Sequence, residues 1–264
     1  MSELTIEQIA LAIVRGGWPA SVGQPEKVAL RNAIDYVEAV INQDVSEVDD
    51  IQKNPARVRA LMRSLSRNIS TLATIKILHD DIADGDIGDS LSEKSISQYL
   101  LALERIFVID NIPAWNPSLR SKSAIRTSPK RQFVDPSIAT AIMAMTPERL
   151  LEDFNYFGFL FEALCSRDLK VYADSIDGQI FHFRDSSGLE CDAIIALNDG
   201  RWAAVEVKLG SKLDEAAEHL LKIRDKINTD KMKEPSFMMI LTGGNLAYQR
   251  KDGVFVVPLG CLKN

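Results

Sequence analysis

Apolar residues recur at helical spacing through most of the first 170 positions and at strand spacing after them. Residues 4–14 read as a short amphipathic helix, which Gly16-Gly17-Trp18-Pro19 breaks. A second helix is expected over 25–41, where Val28, Ile34, Val37, Val40 and Ile41 fall at near-helical spacing. The acidic stretch 42–54 reads as a connector or short helix. Pro55 suits a first helical turn, and Val58, Leu61, Met62 and Leu65 carry a helix on to Ile69. Ser70 or Thr71 is the expected cap of the next helix, running to Ile82. After a polar loop, Ser92 caps a helix over 93–105 whose inner face is Ile96, Leu100, Leu103 and Ile106. Phe107–Ile109 and Arg131–Val134 read as strands. Asp135-Pro136 opens a helix to Met143, Pro147 a shorter one, and 153–168 form a long helix with Phe157, Leu160, Phe161 and Leu164 inside.

From Gln179 the period changes to two. Phe181–Arg184 alternates, Ser186-Ser187-Gly188 turns, and Leu189–Leu197 is a strand with Asp192 among apolar neighbours. Asn198-Asp199-Gly200 is a tight hairpin signal, and the third strand ends in Val205-Glu206-Val207-Lys208. Glu206 and Lys208 then share one face, roughly 7 Å apart along the backbone. Two charges at the end of an apolar strand are costly unless they bind something or pair. A helix over 213–228 and strands at Phe237–Leu241 and Val254–Val257 complete the order α-β-β-β-α-β-β.

Composition narrows the class. With 264 residues, 46% hydrophobic and 26% charged, the chain reads as a soluble protein of more than one domain. The expected division is a helical segment at 1–50, a three-helix-plus-ribbon domain at 51–135 and the strand-rich domain at 136–264. A net charge of −6 argues against broad coating of nucleic acid. Against that background, 111–134 holds Arg120, Lys122, Arg126, Lys130 and Arg131 and no acid. It is a candidate phosphate-gripping segment, a solvated loop, or a docking surface for an acidic protein. Cys165, Cys191 and Cys261 form no CxxC, which suits a reduced cytoplasm. No apolar run has membrane-spanning length, and the first residues lack signal-peptide character. Gly88–Ser95 has the outer spacing of a phosphate loop, but Glu93 replaces the second glycine, so it reads as a helix cap. His79, His182 and His219 are scattered, with no nucleophile motif beside them.

The candidate chemistry lies in the hairpin. Asp192 and Glu206 on neighbouring strands can offer carboxylate oxygens to Mg²⁺, and Lys208 can position water or a phosphate. Glu162, in an otherwise apolar helix, is an auxiliary metal-ligand candidate; its alternative is a solvent-facing or capping role. The alternative for Glu206 and Lys208 is a surface ion pair at a strand end. The stretch resembles the PD-(D/E)XK nuclease-like superfamily, which implies catalytic roles for Asp192, Glu206 and Lys208. Three helices followed by a β-ribbon is the layout of a winged helix, whose third helix here exposes Glu93, Lys94, Ser97, Gln98, Glu104 and Arg105.

A longer ordered set of motifs spans the chain: Arg15–Pro19, Ser128–Pro136, Phe157–Glu162, Phe183–Asp185, Glu190–Asp192, Ala204–Lys208 and Val254–Leu259. Together they resemble the C-terminal half of prokaryotic ATPases of the AAA superfamily, the half catalogued as domain of unknown function 4143. The resemblance implies a winged helix followed by a PD-(D/E)XK-like domain, with an ATPase domain upstream or as a separate partner. It implies no ATP site in this chain, because the phosphate-loop half is absent. The superfamily's frequent Gln in the helix after the Lys is also missing, since 213–228 contains none. Two functions follow. One is an effector or regulatory region that binds nucleic acid or a protein partner for an AAA ATPase. The other is a Mg²⁺-dependent phosphodiesterase acting on DNA.

Overall fold

The helical part begins from strong local signals. The computed structural model describes residues 1–45, 53–84, 91–116, 128–210, 212–227 and 232–263. Its helices are α1 (Ile6–Arg15), α2 (Glu26–Ala39, continued by a π-helical turn, Val40–Asp44), α3 (Pro55–Arg67), α4 (Ile75–Ala83), α5 (Glu93–Arg105), α6 (Pro136–Ile142), α7 (Pro147–Glu152), α8 (Phe154–Asp174) and α9 (Leu213–Lys226). The chain divides into two compact units that interleave in sequence. One comprises Ala10–Asn111 and Lys130–Ala163; the other comprises Met1–Ile9, Ile112–Pro129 and Leu164–Asn264.

In the helical unit, side-chain oxygens of Asn54, Thr74, Ser92, Asp135 and Thr146 cap α3 to α7 in turn. Each satisfies a backbone N–H that the first helical turn leaves without a partner. Leu61, Met62, Leu78, Ile96, Leu103, Ile138, Leu150, Phe157 and Phe161 are fully buried. Each such side chain contributes about 1.5–3 kcal/mol on burial.

Two local expectations change here. Thr74, not Ser70 or Thr71, caps α4. Ser70 instead takes a left-handed conformation (φ 60°), donates its N–H to Arg131 O and its hydroxyl to Phe159 O. Long-range bonds outweigh its local capping preference. The expected ribbon contracts to a single antiparallel bridge, Ile109 to Phe133. The reason is the end of α5. Phe107 is left-handed (φ 57°) and Val108 N–H closes onto Leu103 O at 2.9 Å, so the cap consumes the residues that would have begun a strand.

The motif Arg15–Pro19 serves the same unit. Gly16 has φ 75°, and a Cβ there would lie 2.4 Å from Ser137 Oγ and 2.8 Å from Asp135 Oδ1. Gly17 N–H donates to Asp135 Oδ2 at 3.0 Å and Trp18 Nε1 to Ser137 Oγ at 2.9 Å. The Gly-Gly-Trp turn and the Asp-Pro-Ser helix start therefore lock together.

The other unit is built on a six-stranded mixed sheet in the order β1-β2-β3-β4-β6-β5. Its strands are β1 (Gly178–Arg184), β2 (Glu190–Leu197), β3 (Trp202–Lys208), β4 (Met238–Thr242), β5 (Tyr248–Gln249) and β6 (Phe255–Pro258). The first three form an antiparallel meander. α9 then crosses over, which lets β4 lie parallel to β3. β6 lies parallel to β4, and the two-residue β5, which no pattern in the sequence announces, pairs antiparallel with β6. α9 buries Ala216, Ala217, Leu220 and Ile223 in one cluster with Ile194, Trp202, Ala204 and Ile240. Along the outer edge of β1, Ala114 bridges to His182, and Trp115 packs at 4.9 Å from the Trp202 ring. The architecture is mixed α+β. Among the described residues, no helix is long and apolar enough to cross a membrane.

Candidate functional site

The hairpin between β2 and β3 sets the site. Gly200 supplies the left-handed residue (φ 82°) of the turn, and Leu197 N–H reaches Arg201 O at 2.9 Å. Asp199 holds the turn through the backbone N–H and the guanidinium of Arg201, which keep its carboxyl below the usual range. Ala193 pairs with Val205 and Ile194 with Ala204. Continuing that register sets Asp192 beside Glu206. Alternation puts Asp192, Glu206 and Lys208 on the face that Ile194, Trp202 and Ala204 share with α9. The apolar part of this face is covered by the helix, and the three charges stand at its end.

Lys208 Nζ lies 2.7 Å from Glu206 Oε2 and 3.5 Å from Asp192 Oδ2. The N–H of Val207 donates to the same Asp192 oxygen at 2.8 Å. This backbone contact has no signature in the sequence, because any residue at 207 except proline could supply it. Glu206 has 4% of its side chain exposed, Asp192 17% and Lys208 27%, so exposure rises from Glu206 through Asp192 to the lysine. Cys191 lies next to them. Burial pushes its thiol well above the usual value, and the charges of Glu206 and Asp192 add to the effect. It packs as a neutral hydrophobe.

A second cluster stands on the β1–β2 turn. Asp185 accepts from Ser187 N–H at 2.8 Å, Ser187 Oγ at 2.6 Å and Leu189 N–H at 3.1 Å, and pairs with Lys226 at the end of α9. Burial would raise its pKa, but these donors outweigh it and hold the carboxyl well below the usual range. An Asp before Ser-Ser-Gly is the available sequence signal for such a turn.

The remaining candidates lie elsewhere. Glu162 belongs to the helical unit, where its carboxylate is 2.5 Å from Lys130 Nζ; their side chains are 14% and 8% exposed. Arg131 is also buried and donates to Ala73 O at 3.1 Å. Burial lowers its pKa against an opposing pull from Glu104. Gln132 donates to Ser70 Oγ at 3.1 Å. Lys130 and Arg131 are thus internal braces. Arg120, Lys122 and Arg126 lie outside the described residues.

Among the described residues, no three His, Cys, Asp or Glu side chains gather as a metal site. Asp192 and Glu206 nonetheless reach one cation in common, the Lys208 ammonium. Two hard carboxylates with water completing the shell is a donor set that suits Mg²⁺. The pair fits that ion through Asp192 and Glu206, without Glu162.

The fold and site define a mixed α+β protein with an acidic pair and a lysine at the end of a buried hairpin. The chain belongs to the family described as Domain of unknown function (DUF8612), whose model matches residues 6–149. Residues 157–262 match a second, Domain of unknown function (DUF4143). No curated protein matches the chain. Among solved structures, a chain in the refined half-complex of a tetradecameric assembly of Thermococcus gammatolerans McrB AAA+ hexamers with bound McrC is similar over 96% of this chain and 69% of its own, with 10% identity and a TM-score of 0.34. A likeness at that level carries no argument about fold or function.

Proposed function

We propose that the sheet-containing unit is a PD-(D/E)XK-like module whose Asp192, Glu206 and Lys208 form a Mg²⁺-dependent phosphodiesterase site acting on nucleic acid. The observation that carries this reading is the convergence of both carboxylates on one cationic atom, at 2.7 and 3.5 Å. Bound Mg²⁺ would neutralise phosphate charge and acidify a coordinated water. Asp192 and Glu206 would hold the ion, and the Val207 N–H orients the Asp192 carboxylate by donating to its Oδ2. Lys208 has the more exposed end of the cluster. Its ammonium would donate to a phosphate oxygen or hold the attacking water.

The position of the Lys208 ammonium between the acids favours a second reading. There the three residues are an ion-pair network in a binding module that an AAA-type ATPase, upstream or separate, regulates. α3–α5 with the Ile109–Phe133 bridge support a winged-helix-like helical unit under either reading.

Calorimetric titration of Mg²⁺ and Mn²⁺ into the protein and into Glu206→Gln separates the two. Sub-millimolar binding lost in the variant supports the metal site. It would be followed by cleavage assays on branched, single-stranded and duplex DNA. Absence of binding to either protein discards the phosphodiesterase and leaves the ion-pair network.

A further inference from the structure

The helical unit contains a hollow of about 510 Å³. Protein interiors close-pack and leave few voids larger than a water molecule. A half-open hollow of this size falls in the range of small-ligand pockets. It lies between α2, the end of α1 and the turn from α6 into α7. Three small residues, Ala33, Ala141 and Ala144, leave the space that larger side chains would fill. Ala144 is held left-handed (φ 51°) at the end of α6, a conformation that disfavours any residue with a Cβ. Met145 N–H closes that turn onto Thr140 O at 2.9 Å.

The lining selects a ligand class. Its apolar residues are aliphatic, with Met145 the softest, and no aromatic ring is among the lining residues. A nucleobase or other flat ring would find nothing to stack on, whereas a flexible alkyl chain fits such walls. The charged lining residues are both cations. Lys27 and Arg31 stand one turn apart on α2 and are exposed. Arg31 also contacts Asp35 at 2.8 Å, but both side chains are more than half exposed, and such a pair is worth little. A third cation, Arg149, donates to the carbonyl of Ala144 at 2.8 Å. The charged residues that line this apolar hollow are both positive, in a chain of net charge −6.

We propose that this hollow binds a free medium-chain aliphatic carboxylate, its alkyl chain between α2 and the α6–α7 turn and its carboxylate at Lys27 and Arg31. The site is separate from the Asp192–Glu206 cluster and does not depend on the chemistry there.

The test is calorimetric titration of decanoate, below its micelle concentration, into the 264-residue protein. Decyltrimethylammonium serves as the control of opposite charge. Methyl NMR follows Met145 and Ala141. Decanoate should bind saturably, one per chain, and shift both methyl signals. The Lys27→Glu/Arg31→Glu variant alters only exposed positions, so it should fold, and it should bind decanoate at least about tenfold more weakly. Non-saturable binding, equal binding of the alkylammonium, or unchanged affinity in the double variant would each overturn the proposal.

Discussion

Replacing Lys208 by Met removes a positive charge that contacts both Glu206 and Asp192. Glu206 keeps only 4% of its side chain in contact with solvent, so its carboxylate cannot recover the lost interaction from water. Removing one partner of a fully buried ion pair costs about 3–5 kcal/mol, most of it the penalty of the charge left behind. Lys208 is 27% exposed, and solvent screens part of its interaction. The expected loss is therefore smaller, about 2–3 kcal/mol at pH 7 in the presence of a chelator. Two of the three tryptophans, Trp115 and Trp202, pack together in this unit, so urea unfolding followed by tryptophan fluorescence is weighted towards it. If the pair binds Mg²⁺, the ion at a hundred times its dissociation constant should restore about 2.7 kcal/mol to the variant. A loss below about 0.5 kcal/mol would refute the reasoning, because that is the behaviour of a solvated surface pair.

Gly16→Ala should destabilise the helical unit by about 3 kcal/mol, read from thermal unfolding, because the new methyl meets Ser137 Oγ at 2.4 Å and the backbone stays left-handed. Lys130→Met should cost about 3 kcal/mol by removing the buried cation in contact with the Glu162 carboxylate, and should leave the salt dependence of any DNA binding unchanged, since Lys130 is buried. Asp185→Asn should lower stability by about 1 kcal/mol at pH 7 in denaturant titrations, losing the charged acceptor of Lys226 and the turn amides. The folded-state pKa of Asp185 is depressed, so its contribution is present above the ordinary carboxylate value. It fades as pH falls through the folded value, and the variant and the parent should converge in strong acid.

Much of the architecture is legible in short stretches of sequence. Pro55, Ser92 and Asp135-Pro136 each mark the start of a helix as expected, while the Asn54 cap emerges only in the structure. The period-two pattern and Asn198-Asp199-Gly200 define the β2–β3 hairpin, and with it the shared face of Glu206 and Lys208. These features are local, because a cap or a tight turn involves residues a few positions apart. α8 runs past the end that its local pattern marks. The long helix expected to end at 168 continues to Asp174, with Leu169 and Ala173 buried in its last turns.

What sequence alone determined is most of the helices, the β2–β3 hairpin and the strand face on which Asp192, Glu206 and Lys208 stand. Tertiary structure decided which charges meet. Lys130, Arg131 and Glu162 look alike in sequence to residues that could hold phosphate or metal, yet they brace the helical unit from inside. Ser70 carries a capping side chain and spends it on Phe159 O instead. The physical reason is common to these cases. The free energy of a charged or hydroxyl group depends on its solvent exposure and its partners, and those partners stand tens of residues away along the chain.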